Sequence, residues 1–289
     1  MKDFNAIGKT VGGNEGSKCN YPFRLDTYGC GCQHDCSYCY AKTLLDFRNL
    51  WDAKHPSVGN ISAISKEIRK IPRGTIVRLG GMTDCFQPCE KIHRITYKTI
   101  KLLNRRRIGY LIVTKSALVA ADEYLAIFDR DLAHIQITVT TLDDDFYTRK
   151  GYEKASLPSE RINAIRKLQD AGFDVTIRLS PYIPEFIAPD RLNELGIKKA
   201  LVEFLRVNTW VKRWFDIDYT PYTHNEGGYN HLPLKRKIEL LDEIKGSFDE
   251  LTVCEDSTTA YEYWKTHINH NPNDCCNLRK EIQHERHEN

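Results

Sequence analysis

Six short runs of β-branched and other apolar residues punctuate the first two-thirds of the chain: FRLDTYG (23–29), TIVRLGG (75–81), YLIVTKS (110–116), IQITVTT (135–141), DVTIRLSP (174–181) and ALVEFLRV (200–207). Each has the length of a buried strand and is bounded by polar or turn-forming residues. Between them ITYKTIKLLNRR (95–106), ADEYLAIFDR (121–130) and ERINAIRKLQDAG (160–172) carry apolar residues at helical spacing, the last closed by Gly172 as a C-terminal cap. Alternating strands and helices predict parallel strands joined by right-handed crossovers. The fold class is therefore α/β, as an open doubly wound sheet or a complete or partial barrel, and either form gathers functional loops at the carboxyl ends of its strands.

At those ends the pattern changes. After the first run comes YGCGCQHDCSYCYAK (28–42), after the second GGMTDCFQPCE (80–90), after the third TKS and after the fifth SPYIPE (180–185). From about residue 206 the alternation loosens into NTWVKRWFDIDYTPYTHNEGGYNH (208–231), too long for an ordinary connection and read as a substrate loop. A helix-like run (234–246), a seventh strand LTVCE (251–255) and a polar tail with vicinal Cys275 and Cys276 follow, ending in EIQHERHEN, read as a fraying terminus. The expected organisation is an N-terminal extension (1–22), a core barrel (23–205) and a C-terminal extension (206–289) packed on the barrel near the substrate opening.

Composition changes this picture little. The 289 residues carry a formal charge of +3, which points to no particular partner, and basic runs such as Arg105–Arg107 read as solvated helix faces. The ten cysteines matter more. MKDFNAIGKT lacks the features of a secretory signal and no apolar stretch is long enough to cross a bilayer. The expectation is a cytoplasmic, reducing setting, where clustered cysteines bind metal or do chemistry more often than they form bridges.

Cys32, Cys36 and Cys39 form a C-x3-C-x2-C pattern within one loop, close enough for three thiolates to converge on one inorganic centre. A structural zinc site fills four positions, whereas a four-iron cluster held by three thiolates keeps one iron free. The spacing favours the cluster, with zinc completed by His34 or Cys30 as the alternative.

CQHDCSYC, with an aromatic residue before its last cysteine and a strand before the loop, resembles the signature of the radical S-adenosylmethionine (SAM) superfamily. The resemblance continues through GGMTDCFQPCE, VTKSALV, TVTTLDDD and LPSERINAIRKLQDAGFDVTIRLSPYIP, in the order of the spore photoproduct lyase-like branch, over about residues 23–185. It implies a partial (β/α)6 TIM-type barrel with a C-terminal extension. It also implies a four-iron four-sulfur ([4Fe-4S]) cluster on Cys32, Cys36 and Cys39, and S-adenosyl-L-methionine chelated by the fourth iron. A reductant such as flavodoxin or ferredoxin would drive cleavage to methionine and a 5′-deoxyadenosyl radical, which removes hydrogen from a substrate. Tyr38 matches the aromatic residue against the adenine, and Lys115 a lysine aimed at the cofactor carboxylate. Gly80 and Gly81 allow close approach of backbone to a ligand, while Thr83 and Asp84 offer hydrogen bonds to it. Thr138 and Arg178 lie on later strands within reach of cofactor or substrate, and Arg178, in an apolar run, requires a partner.

Three features depart from the family pattern. Relatives often carry proline at Cys85 and an aliphatic residue or alanine at Cys89, and the hydrogen-donating cysteine of the lyase aligns near Gly81, which leaves Cys85 as a candidate donor. Cys30 has no counterpart and is read as unligated. In the tail, Cys254, Cys275 and Cys276 offer an auxiliary cluster, or His267 and His270 with Cys275 and Cys276 a zinc site, but adjacent cysteines converge poorly on one metal and reduced thiols in a C-terminal cap are the plainer expectation. Trp210, Arg213 and Trp214, with Lys212, supply stacking faces beside positive charge and make a nucleic-acid base or nucleotide the first substrate class. A small metabolite, peptide or protein under the same chemistry is the second, and a noncatalytic metal-stapled binding protein is the alternative of a different kind.

Overall fold

The computed structural model describes residues 4–9, 21, 23–254 and 257–278. Most of the N-terminal extension and the segment EIQHERHEN lie outside the described residues. Eight strands form one sheet whose spatial order is their chain order. They are β1 (Ile7–Lys9), β2 (Phe23–Leu25), β3 (Ile76–Leu79), β4 (Gly109–Thr114), β5 (Ala133–Thr138), β6 (Asp174–Tyr182), β7 (Lys199–Phe204) and β8 (Glu250–Val253). β1 pairs antiparallel with β2, and every later neighbour is parallel. This order is that of a partial barrel.

The two faces of the sheet differ in kind. Val77 and Leu79, Tyr110 and Ile112, Ile135 and Ile137, Ile177 and Leu179, and Ala200 and Val202 belong to the main apolar core. The helices bring Ile64, Ile100, Leu103, Ile165 and Leu240 to that core. The alternate residues of the same strands, among them Arg78, Gln136, Thr138, Asp174, Arg178 and Glu203, are largely polar and line the lumen. Two-residue periodicity thus makes the helix-covered face a dry core and the lumen a site.

The helices follow local rules. Asn60 caps Ile61–Ile68 by accepting from the Ser62 and Ala63 N–H groups. Pro158 opens Pro158–Asp170, where the Glu160 side chain accepts from Leu157 N, and the helix closes through Gly172 N to Gln169 O and Phe173 N to Leu168 O.

Some expectations require correction. FRLDTYG is two pieces, because Tyr28–Gly29 leaves the sheet to pair with Ser57–Val58. The helix expected over 121–130 is a single helical turn (Asp122–Leu125), and a 3₁₀ turn (Ala117–Ala120) precedes it. The long 208–231 stretch folds into a helix (Thr209–Trp214) and a hairpin of His224–Glu226 with Tyr229–His231, turned by Gly227 and Gly228 at φ +62° and +82°. The seventh predicted strand is β8, so part of the chain beyond 206 completes the barrel sheet.

The tail then enters the lumen. Tyr21, Cys276 and Leu278 pack with Leu111 and Leu201, and the Tyr21 hydroxyl donates to Asp274 at 2.7–2.8 Å. Below them Lys199 Nζ reaches Asn277 O at 2.6 Å and Asp174 Oδ1 at 3.2 Å, and His134 Nδ1 lies 2.9 Å from Asp174 Oδ2. Among the described residues no helix is long and apolar enough to cross a membrane.

Candidate functional site

The cysteine loop begins where β2 ends and is held from two sides. On one side Ser37 N donates to Tyr152 O at 2.9 Å and Lys154 N to His34 O at 2.6 Å. On the other, Gln33 N donates to Gln87 Oε1, and Cys89 N donates to Gln33 Oε1, at 2.8 and 2.7 Å. Inside the loop Asp35 N bonds Cys32 O and Cys39 N bonds Cys36 O, tight turns that bring the three cysteines round to one side. Cys32, Cys36 and Cys39 all line a cavity of about 190 Å³ at the carboxyl ends of the strands. Burial pushes each of the three thiols above its ordinary range, so a metal centre bound there would displace their protons.

Seven further residues singled out in the sequence line the same cavity: Tyr38, Gly80, Gly81, Thr83, Asp84, Lys115 and Thr138, and Arg178 joins them. Gly80 turns at φ +82°, and a Cβ there would come within 3.0 Å of Thr83 O and 3.1 Å of Val113 O. At Gly81 a Cβ would sit 1.5 Å from Arg24 Cδ, so both glycines are required by close approach. Thr83 and Asp84 brace the loop in this structure. Thr83 Oγ1 donates to Tyr28 O at 2.6 Å, and Asp84 accepts from Thr114 Oγ1, Lys115 N and Phe86 N at 2.7–3.0 Å. Burial opposes a charge on Asp84, but His34, with Nε2 3.1 Å from Oδ2, and the surrounding donors hold it below the usual carboxylate range.

Four basic side chains reach the same cavity. Arg78, Lys115, Arg178 and Arg206 all line it. Lys115 Nζ donates to Ser180 O at 3.1 Å and lies 5.2 Å from the centre of the Tyr38 ring. Arg178 donates to Gln136 Oε1 at 2.8 Å and to Glu203 Oε2 at 2.6 Å. Glu203 also accepts from Ser180 Oγ at 2.7 Å. Burial raises the Glu203 carboxyl, yet Arg178, Arg206 and Ser180 bring it down to about 2.

Sequence reasoning missed Glu153. The backbone bonds of residues 152 and 154 to the cysteine loop aim its side chain inward, where it is wholly buried. Arg161 NH2 donates to it at 2.5 Å, the Tyr38 hydroxyl donates to Oε2, Lys115 Nζ lies 3.6 Å away and Cys36 Sγ 3.5 Å away. One carboxylate therefore touches the cysteine, the tyrosine and the lysine that the family pattern assigns to cluster and cofactor. Its own burial is outweighed by Arg161, Lys115 and Tyr38, which hold it at about 2. Arg161 is equally buried and also bonds Ser156 O and Thr138 O, fixing Glu153 to the end of β5. Nothing in the sequence marks Glu153, whereas Glu203 had a signal: a lone acid in an apolar strand beside a strand with a lone Arg178.

Other candidates lie elsewhere. Cys85 has no exposed surface, belongs to the main core and is not among the residues lining the cavity. Cys30 is half-buried and also off the cavity, whereas His34 is part of its wall. Trp210, Arg213 and Trp214 form their own surface group, with the two indoles 5.7 Å apart and Arg213 over Trp210 at 5.0 Å. Lys42, three residues after Cys39, lies over Trp214 at 4.8 Å and connects this group to the helix Tyr40–Asp46. The neighbouring Phe215 packs edge-on against Tyr38 at 5.3 Å. Among the described residues no three His, Cys, Asp or Glu side chains are arranged around a single metal ion. His267 stacks on Tyr263, apart from the tail cysteines, which meet Cys254 in a second, small cavity.

Comparison with known proteins agrees with this architecture. In fold, a spore photoproduct lyase mutant with dinucleoside spore photoproduct matches with a TM-score of 0.60 at 18% identity, over 78% of this chain and 73% of that one. A second lyase mutant, with bound AdoMet and the same dinucleoside, gives 0.58 at 18% identity, over 80% and 74%. In sequence, an uncharacterized protein of Methanocaldococcus jannaschii, MJ0683, is 29% identical over 60% of this chain and 65% of its own length. An uncharacterized protein of Acidianus two-tailed virus, ORF301, is 24% identical over 58% and 57%. The chain thus spans less than two thirds of the length of either curated relative. The family model described as the radical SAM superfamily matches residues 27–188, from the cysteine loop to the end of β6 and just beyond, and the chain belongs to that superfamily.

Proposed function

We propose that this chain is a radical SAM enzyme that holds a [4Fe-4S] cluster on Cys32, Cys36 and Cys39, and that its substrate is a nucleic-acid base or nucleotide. The observation that carries the chemistry is one cavity lined by three thiols together with Lys115, Arg78 and Arg178. The donor set suits the pair of groups. Three thiols provide three corners of a four-iron cluster, and the basic side chains suit the carboxylate of an amino acid. What the cluster and S-adenosyl-L-methionine supply when bound is reductive cleavage of a carbon–sulfur bond and a 5′-deoxyadenosyl radical able to remove hydrogen.

The chain supplies position and exclusion. Lys115 offers its ammonium, positioned by its hydrogen bond to Ser180 O, to the carboxylate. Gly80 and Gly81 let their loop pack against Val113 O and the Arg24 side chain, and Tyr38 presents an aromatic wall fixed by Glu153 and Phe215. Thr83 and Asp84 maintain the loop that carries these glycines. Arg178, already paired with Glu203, brings charge to the cavity floor without being an isolated buried cation. The electron comes from a low-potential carrier of the flavodoxin or ferredoxin kind. The nine described cysteines are free, in keeping with the cytoplasmic, reducing setting such chemistry requires.

The nucleotide reading rests on the Trp210–Trp214 pair with Arg213 and Lys42, which combines stacking faces and positive charge beside the helix that follows the cluster loop. Deuterium transfer tests it. Oligonucleotides labelled on the base or sugar are incubated anaerobically with reconstituted protein, reductant and S-adenosyl-L-methionine, and 5′-deoxyadenosine is analysed for label. Label in the product, with binding that weakens as salt rises, is the expected result. Unlabelled 5′-deoxyadenosine with every oligonucleotide, and binding indifferent to salt, assigns the chemistry to a small metabolite, peptide or protein instead.

A further inference from the structure

Beneath the cofactor cavity lies a second one of about 20 Å³, lined by Tyr21, Cys254, Cys275 and Cys276 together with Arg78 and Arg178. The two arginines belong to both cavities and form the partition between them. Cys254 follows β8 and its N–H bonds Val202 O at 2.8 Å, which sets the residue beside Glu203. Arg178 NH2 is 3.5 Å from Cys254 Sγ and 2.6 Å from Glu203 Oε2, so one guanidinium serves a carboxylate above and a sulfur below. Cys275 and Cys276 meet Cys254 across this cavity.

We propose that Cys254 and Cys275 are a redox-active dithiol, with Cys254 the attacking thiolate and Cys275 the resolving thiol, and that the site reacts with small disulfides. Geometry selects this pair. Cys254 and Cys275 face the same small cavity and both keep exposed surface, whereas Cys276 is buried and a link between adjacent Cys275 and Cys276 would have to close within one peptide unit, outside the usual Cα separation of a disulfide. Polarity assigns the roles. The hydrogen bond from Cys275, assisted by Arg178 and Arg78, brings the Cys254 thiol down to about 6. The same hydrogen bond, with burial, pushes Cys275 well above the ordinary range.

The exchange balances as follows. The Cys254 thiolate attacks one sulfur of a small disulfide, that S–S bond breaks, and the first leaving thiolate takes a proton from solvent, replacing the one Cys254 had released. With Cys254 capped, the anion that held the Cys275 proton is gone. Cys275 then loses its proton, attacks the Cys254 sulfur and expels the second thiolate, which takes up that proton. Two protein thiols are oxidised to one disulfide and the small disulfide is reduced to two thiols. Both cysteines keep some exposed surface, and through it a small disulfide reaches Cys254.

The test requires neither catalysis nor S-adenosyl-L-methionine. Full-length protein carrying its cluster is equilibrated anaerobically with mixtures of reduced and oxidised dithiothreitol, quenched in acid, alkylated and mapped by mass spectrometry. A Cys254–Cys275 linked peptide should accumulate as the oxidised fraction rises. It should disappear in Cys254→Ser and Cys275→Ser and persist in Cys276→Ser, with Cys32, Cys36 and Cys39 unlinked throughout. Alkylation of Cys254 at every mixture, or a Cys275–Cys276 link in its place, would overturn the proposal. The wild-type map alone decides this, should a variant fail to fold. The site stands apart from the radical SAM reading, and neither result bears on the other.

Discussion

At the upper end of the lumen three thiols come from one eight-residue stretch, Cys32 to Cys39, turned inward by short backbone bonds and braced by residues 87–89 and 152–154. At the lower end three thiols come from the end of β8 and from a tail 21 residues further on, brought together only by the barrel. The upper set faces a cavity large enough for a small molecule, and the lower set faces one the size of a single water. A set of residues within one loop carries its arrangement in its spacing, and one assembled by tertiary structure does not. The upper end therefore opens on a ligand-sized cavity, and the lower end is largely filled by the protein's own tail.

Five substitutions would break or sharpen this contrast, in descending order of expected effect. Cys36→Ala should abolish cluster absorbance and reduce 5′-deoxyadenosine formation by more than ~100-fold, whereas Cys254→Ala should leave the iron content unchanged. Iron and sulfide analysis on both variants checks it, and equal loss from the two would erase the distinction. Glu153→Gln leaves Arg161 and Lys115 without their shared anion at the upper end. An uncompensated buried charge of this kind costs roughly 3–5 kcal/mol, read by denaturant unfolding of the cluster-free protein; a loss below about 1 kcal/mol would mean that Glu153 does not hold this wall together.

The lower end makes a pH-dependent prediction. Asp174 is held at about 2, below its ordinary value, because its hydrogen bond to His134 and the Lys199 charge outweigh its burial. A carboxyl lowered on folding contributes stability above its unfolded pKa and loses it as pH falls through the folded value. Asp174→Asn should therefore cost about 2 kcal/mol at neutral pH, and its difference from wild type should shrink between about pH 4 and pH 2. A difference constant across that range would contradict the ion-paired base of the lumen. Trp214→Ala, on the outer surface, should weaken oligonucleotide binding by only ~1 kcal/mol, about fivefold, with no change in S-adenosyl-L-methionine cleavage without substrate.

Much of the barrel was legible because its signals are local. The helix Ile95–Arg106 matches its periodicity residue for residue, and the strands fall where β-branched runs occur. β1 was not legible, since three residues of IGK carry no pattern until β2 pairs with them. The 121–130 run failed as a helix although its apolar spacing is helical: only Asp122–Leu125 forms a helical turn, and Phe128 is drawn into the core against Tyr110, Tyr124 and Phe173. At the site, cysteines, glycines and strand-end polar residues were recognisable by type and spacing. Glu153 was not, because an acid between Tyr152 and Lys154 reads as solvent-facing until the bonds to the cysteine loop turn it inward. Arg178 announced the need for a partner, and only the register of β6 against β7 identifies that partner as Glu203.

The most direct test of the account is anaerobic reconstitution with iron and sulfide, reduction with dithionite, and quantification of 5′-deoxyadenosine and methionine from S-adenosyl-L-methionine. A brown protein with about four irons on the three-cysteine loop should form both products in equal amount, and Cys36→Ala neither. A protein with an intact cluster that leaves S-adenosyl-L-methionine uncleaved, or one that isolates colourless with zinc in the loop, would contradict it.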